Sequence, residues 1–196
     1  MADGGTATVE ASRAEGLRQF TSAEFYRMGE IGVIGPDERV ELVGGLIYTM
    51  APINPRHANA VDVLVRLLTI ALDGRARVRG QNPVHLDERS DPQPDVAVVK
   101  LTADGYLERH PNPAEIHLLV EVADSTLLFD KSVKIPRYAI SGVQEVWLVD
   151  LGTRLATVYR EPFEGRYLSE TPVDIGGVLS PVEFSDVAIP VALVVR

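Results

Sequence analysis

Two stretches, Pro94-Asp95-Val96-Ala97-Val98-Val99 and Ile116-His117-Leu118-Leu119-Val120-Glu121-Val122, decide how this chain is read. Each is an apolar run with few polar interruptions, the pattern of a central strand covered on both faces. Each also carries one carboxylate: Asp95 opens the first run and Glu121 closes the second. Burying an ionised carboxylate costs on the order of several kcal/mol unless a cation or dense hydrogen bonding compensates it. Taken singly, Asp95 fits a turn after Pro94, and Glu121 fits an ion pair with an arginine. Taken together, and if the two strands are neighbours in one sheet, their ends come within reach of one hard cation such as Mg²⁺, which prefers oxygen ligands and keeps several waters. A metal held in this way lowers the pKa of bound water and stabilises charge on a phosphate.

The flanking segments predict the rest of an α/β or α+β layer fold. Glu145 to Leu151 is another central strand. Between it and Glu121, Asp130 to Ser141 predicts a helix stopped by Gly142, with Pro136 a kink unless it falls in the first turn. On that helix Asp130, Lys134 and Tyr138 stand at i, i+4 and i+8 and share one face. An ion pair on a solvated face accounts for Asp130 and Lys134; delivery of a lysine to the carboxylates is the sharper alternative. Upstream, Val61, Leu64, Val65, Leu68 and Leu72 at spacings of three and four make His57 to Leu72 an amphipathic helix, and Gly74 ends it.

Further out, Arg39 to Met50 predicts a β-hairpin turning at Gly44-Gly45. Glu41 lies within it, at a position that ordinarily faces water. Thr21 or Ser22, followed by Glu24, caps a short helix. Short strands are expected near Ala76 to Arg79 and Pro83 to Leu86. A meander from Thr153 onward turns at Glu164-Gly165 and Gly176-Gly177. Residues 1–19 have no sustained period and predict a flexible arm before a single domain over 20–196.

Composition narrows the chemistry. The 196 residues are 45% hydrophobic and 24% charged, enough for a sizeable core. With no cysteine, thiolate metal sites, disulfides and cysteine nucleophiles are excluded. The chain has no P-loop, no Gly-x-Gly-x-x-Gly, no His-Glu-x-x-His and no Gly-x-Ser-x-Gly. The four histidines never fall at metal-ligand spacing, and only His57, at a helix start, draws attention. No apolar run reaches the ~18 residues of a membrane span, and no signal peptide opens the chain, so a cytoplasmic protein without membrane contact is expected. A net charge of −9 opposes binding nucleic acid through bulk electrostatics. The basic stretches Arg75 to Arg79 and Lys131 to Arg137 read as solvated edges.

The succession of Glu41-Leu42-Val43-Gly44-Gly45, Met50-Ala51-Pro52 with His57, Pro94-Asp95-Val96, Glu121-Val122-Ala123-Asp124-Ser125-Thr126, Asp130 with Lys134 and Tyr138, and Gly142 to Asp150 resembles the bacterial Uma family of restriction-endonuclease-like proteins, within the PD-(D/E)XK nuclease superfamily. The resemblance spans about residues 20 to 196. It implies a restriction endonuclease-like mixed β-sheet flanked by α-helices, and a DNA endonuclease using Mg²⁺ or Mn²⁺. It makes Asp95 and Glu121 metal ligands with help from the Val122 carbonyl, and Glu41 an additional acid. The superfamily lysine stands two residues after the acid, where this chain has Ala123; Lys134, or else Lys131, is expected to supply the ammonium, with Tyr138 in support. A homodimer would address both DNA strands. The competing expectation is an inactive nuclease-fold module that binds nucleic acid or a protein partner, favoured by Ala123 and the negative charge.

Overall fold

A computed structural model describes residues 16–196, so nearly all of the expected N-terminal arm lies outside the described residues. The first helix among the described residues, α1, Ser22–Glu30, is capped by Thr21, whose hydroxyl accepts from the Glu24 N–H while the Glu24 carboxylate accepts from the Thr21 N–H. The hairpin strands β1, Val40–Val43, and β2, Leu46–Thr49, pair antiparallel across Gly44 and Gly45. Both glycines have positive φ, 60° and 80°, the backbone of a tight primed turn. A side chain at Gly45 would also collide with Gln19.

The long helix α2, Pro55–Leu72, begins two residues before the expected start, because Asn54 caps it. Asn54 Oδ1 accepts from the His57 N–H at 3.0 Å, and its amide donates to Asp124 at 2.6 Å. Asn54→Ala removes both bonds and is expected to cost about 1 kcal/mol, seen as a lower urea midpoint with an unchanged slope. Ala60, Val61, Leu64, Leu68 and Leu72 form the buried stripe of this helix.

The main sheet has six strands in the order β3, Arg77–Gly80; β4, Val96–Val99; β5, Ile116–Ala123; β6, Glu145–Asp150; β7, Leu155–Phe163; and β8, Arg166–Val173. All neighbours are antiparallel except β5 and β6, which are parallel and joined through a helical crossover. The expected meander therefore forms the far edge of this mixed sheet. On one face, α2 packs with Val96, Val98, Val120, Val122 and Trp147; on the other, Ala97, Leu119, Ala123 and Leu148 meet Ile135, Tyr138 and Ala139. The α2 face is closed by the ribbon β9, Val178–Leu179, with β10, Ile189–Pro190, and by a short helix, α4, Val191–Val194.

Two expectations are corrected. Pro83 to Leu86 is not a strand: its backbone bonds go to Pro92, Ser90 and Pro111, and with prolines at 83, 92 and 94 no regular ladder can form. The expected helix from Asp130 begins earlier. Leu127–Phe129, Asp130–Lys134 and Ile135–Ile140 run on as one helix, α3. Its middle segment is a π turn, in which the Ile135 N–H reaches back five residues to Asp130. Pro136 has no N–H and its ring crowds the carbonyl four residues back, and the wider turn accommodates it without ending the helix.

Candidate active site

The register of the sheet brings the two strand carboxylates together. Val96 pairs with Val120, so Asp95, just before β4, falls beside Glu121 on β5. Alternation places both on the face covered by α3. The ends of the π turn, Asp130 and Lys134, are buried while Lys131 between them is exposed, so the helix directs one lysine inward. Lys134 Nζ stands 2.7 Å from Glu121 Oε1, 3.4 Å from Glu41 Oε2 and 3.1 Å from the Gln93 carbonyl oxygen. Tyr138, a turn further along, donates its hydroxyl to the same Glu121 oxygen at 2.5 Å. The solvated-edge expectation for the stretch from Lys131 therefore fails at Lys134, and also at Arg137, which is paired with Asp87. Ala123 is fully buried on the sheet.

Glu41 does not face water. The strand β1 lies against the segment before Asp95, with Leu42 bridged to Asp91, and Glu41 is 4% exposed. Its Oε2 accepts from the Gln93 N–H at 2.9 Å. Asp95 is held from three sides: His57 Nε2 lies 3.0 Å from Oδ1, the Gln81 amide donates to the same oxygen at 3.3 Å, and the Val122 N–H donates to Oδ2 at 2.8 Å. The Val122 backbone adds to the effect of Asp95 in raising His57.

The charges in this site are unbalanced. Glu41 and Glu121 pair with Lys134, Asp95 pairs with His57, and Asp130 accepts from the Thr126 hydroxyl, all in one buried cluster. Burial would depress Lys134, but the charges of Glu121, Glu41, Asp130 and Asp95 outweigh it, and the amine stays firmly protonated. Burial pushes Glu121 well above the usual carboxylate range, against the pull of Lys134. Burial likewise raises Asp130 to about 6. Asp95 goes the other way: burial would raise it, but the His57 hydrogen bond and charge, with Lys134 and the Val122 N–H, hold it below its ordinary value. His57 is raised in return, chiefly by its hydrogen bond to Asp95, against the effect of burial.

Glu41, Asp95, Glu121, Asp130 and Lys134 all line one cavity of about 300 Å³. Among the described residues, Oε2 of Glu121 and Oε1 of Glu41 take no protein donor. Also among the described residues, no three histidine or acidic side chains are grouped to hold a metal ion. Magnesium sites do not need such a group, since one or two carboxylates with several waters suffice. The donor set, the hard carboxylate oxygens of Asp95, Glu121 and Glu41 on one cavity wall, fits that kind of ion.

Several positioning groups left no mark in the sequence. Gln93 works through its backbone, whose N–H meets Glu41 and whose carbonyl meets Lys134; the only available signal was its place between two prolines, immediately before Asp95. Gln81 had none. Asp91, 2% exposed, gathers Ser22, His85 at 2.9 Å and Tyr26, tying α1 to the segment that carries Asp95.

A mixed sheet that brings an aspartate and a glutamate from adjacent strands under a helix-borne lysine defines a restriction endonuclease-like architecture. The chain belongs to the Uma2 family, whose model, described as "Putative restriction endonuclease", matches residues 22–192. The same fold occurs in the crystal structure of "a putative nuclease" from Anabaena variabilis, with a TM-score of 0.72 and 16% identity over 90% of this chain and 97% of that one. No curated protein matches the chain.

Proposed function

We propose that this protein is a divalent-metal-dependent endonuclease that hydrolyses DNA phosphodiester bonds, with Mg²⁺ or Mn²⁺ held by Asp95, Glu121 and the Val122 carbonyl. The observation that carries this reading is the gathering of Glu41, Asp95, Glu121 and Asp130 around Lys134 and His57 in a single cavity. Such a cluster is costly to bury and has no structural need for so many carboxylates, which is the mark of a functional site. Family membership supports hydrolysis as the reaction class.

A bound divalent cation would supply positive charge for the phosphate and an activated water. The chain's own groups do the rest. Asp95 is oriented by His57, Gln81 and the Val122 N–H, and Glu121 by Tyr138. Lys134, an ammonium held by Glu121 and Glu41, is placed to stabilise the charge that builds on the phosphate. Glu41 fixes that ammonium from the hairpin side.

The test is conversion of supercoiled plasmid to the nicked form by pure protein in Mg²⁺ and in Mn²⁺. Nicking should stop when EDTA removes the metal and return when metal is restored. A preparation inert with both ions on the plasmid and on a single-stranded oligonucleotide alike, or one that cleaves equally well in EDTA, would overturn the reading.

A further inference from the structure

Beside its acidic floor, the cavity has an aromatic and apolar wall. Phe129 on α3 and Tyr48 on β2 stand with ring centroids 4.9 Å apart at an interplanar angle of 57°. Met50 and Ile53, in the segment leading to α2, extend that wall. Packing of the hairpin on α3 explains why the two rings meet. It does not explain why both open onto the carboxylates, when the neighbouring Leu128 points away and is 77% exposed.

A duplex keeps its bases stacked inside, presents phosphates outside, and is bound through many lysines and arginines along its backbone. This cavity lacks that equipment. The lining residues of cationic type are Arg39, His57 and Lys134, and the last two are committed to Asp95 and to the Glu41 and Glu121 pair. The whole chain carries −9. Single strands are held differently, by bases lying on aromatic faces, an interaction that tolerates any sequence because every base has a π-face. At about 300 Å³ the cavity is at the small end of sites for organic ligands.

We infer that the cavity takes one unstacked nucleotide, its base against the Phe129 and Tyr48 wall and its phosphate over Asp95 and Glu121, so that unpaired DNA is the substrate class of this site. The inference rests on the nuclease reading above and adds to it the form of DNA that enters. It implies little base preference and leaves intact duplex a poor substrate except at ends, gaps or flipped positions.

Fluorescence anisotropy of the full chain in Ca²⁺, with a labelled oligothymidylate and a labelled blunt duplex, measures binding; digestion of the same two DNAs in Mn²⁺ measures cleavage. The single strand should be bound more tightly and cut faster. Phe129→Leu, which keeps apolar bulk but removes the aromatic face, should weaken single-strand binding about tenfold. Leu128→Ala should behave as wild type. An abasic residue moved along the strand provides a measurement that needs no variant: wild-type cleavage should drop at the phosphate beside it. Duplex cut at least as fast as single strand, an unchanged Phe129→Leu, or indifference to the abasic position would overturn the inference while leaving a nuclease. Failure to bind Mn²⁺ or to cut either DNA would overturn the nuclease reading itself.

Discussion

Asp95→Asn and Glu121→Gln are each expected to lower DNA cleavage by about a thousandfold or more and to abolish the Mn²⁺ binding isotherm in calorimetry. Both substitutions keep size and one carbonyl oxygen. The Tyr138 hydroxyl can still donate to residue 121, and the Val122 N–H or His57 to residue 95. What is removed is the ionisable oxygen that a cation could draw on, at two positions that line the cavity. Asp95→Asn carries a second signature, because its carboxyl is held below the ordinary value in the folded state. A depressed pKa contributes stability that is present above the unfolded value, 3.8, and is lost as pH falls through the folded value. The variant should therefore melt earlier than wild type at neutral pH in EDTA, with the gap closing in acid. Wild-type cleavage by either variant would remove these residues from the chemistry, and equal cleavage by all three proteins would point to a contaminating nuclease.

The sequence made some parts of this site plain and others invisible, for physical reasons. Asp95 and Glu121 stood out because carboxylates interrupt runs that alternation requires to be buried on both faces, and the register from Val96 with Val120 joined them. Asp130, Lys134 and Tyr138 were legible as one helical face because i, i+4 spacing is local; the π turn that carries the first two changed the pitch without turning them apart. Glu41 was harder. A polar residue in a hairpin strand ordinarily faces solvent, and only the packing of β1 against residues 91–93 buries it. Gln93 acts through backbone atoms that every residue possesses, so no residue type could signal it. The Pro83 to Leu86 segment has strand-like side chains, but its neighbouring prolines remove the donors a ladder needs. Which of Lys134 and Lys131 is buried depended on the phase of the helix against the sheet, a tertiary quantity that places one at 4% side-chain exposure and the other in solvent.

Lys134→Met is expected to abolish cleavage and to destabilise the metal-free protein by about 3–5 kcal/mol at pH 8, the usual cost of removing one partner from a buried ion pair. The ammonium serves Glu121, Glu41 and the Gln93 carbonyl at once, and methionine offers none of them a donor. The pH dependence of the loss separates charge from packing. Lys134 has a pKa raised above 10.5, so its stabilisation is complete below that value and cannot itself vary between pH 5 and pH 8. The carboxyls do vary. Asp130 already sits at about 6 and Glu121 is raised by burial, and without the ammonium both rise further. They then take up protons in the folded variant as pH falls, which relieves the uncompensated charge. Urea unfolding in EDTA should accordingly show a large deficit at pH 8 that shrinks toward pH 5. A deficit of equal size at both would mean that lost packing is the cause and would dissolve the electrostatic account. Lys134→Arg should not restore activity, since a planar guanidinium cannot occupy a socket built around a compact ammonium. Lys131→Met, changed at an exposed position on the same turn, should leave both cleavage and stability near those of wild type.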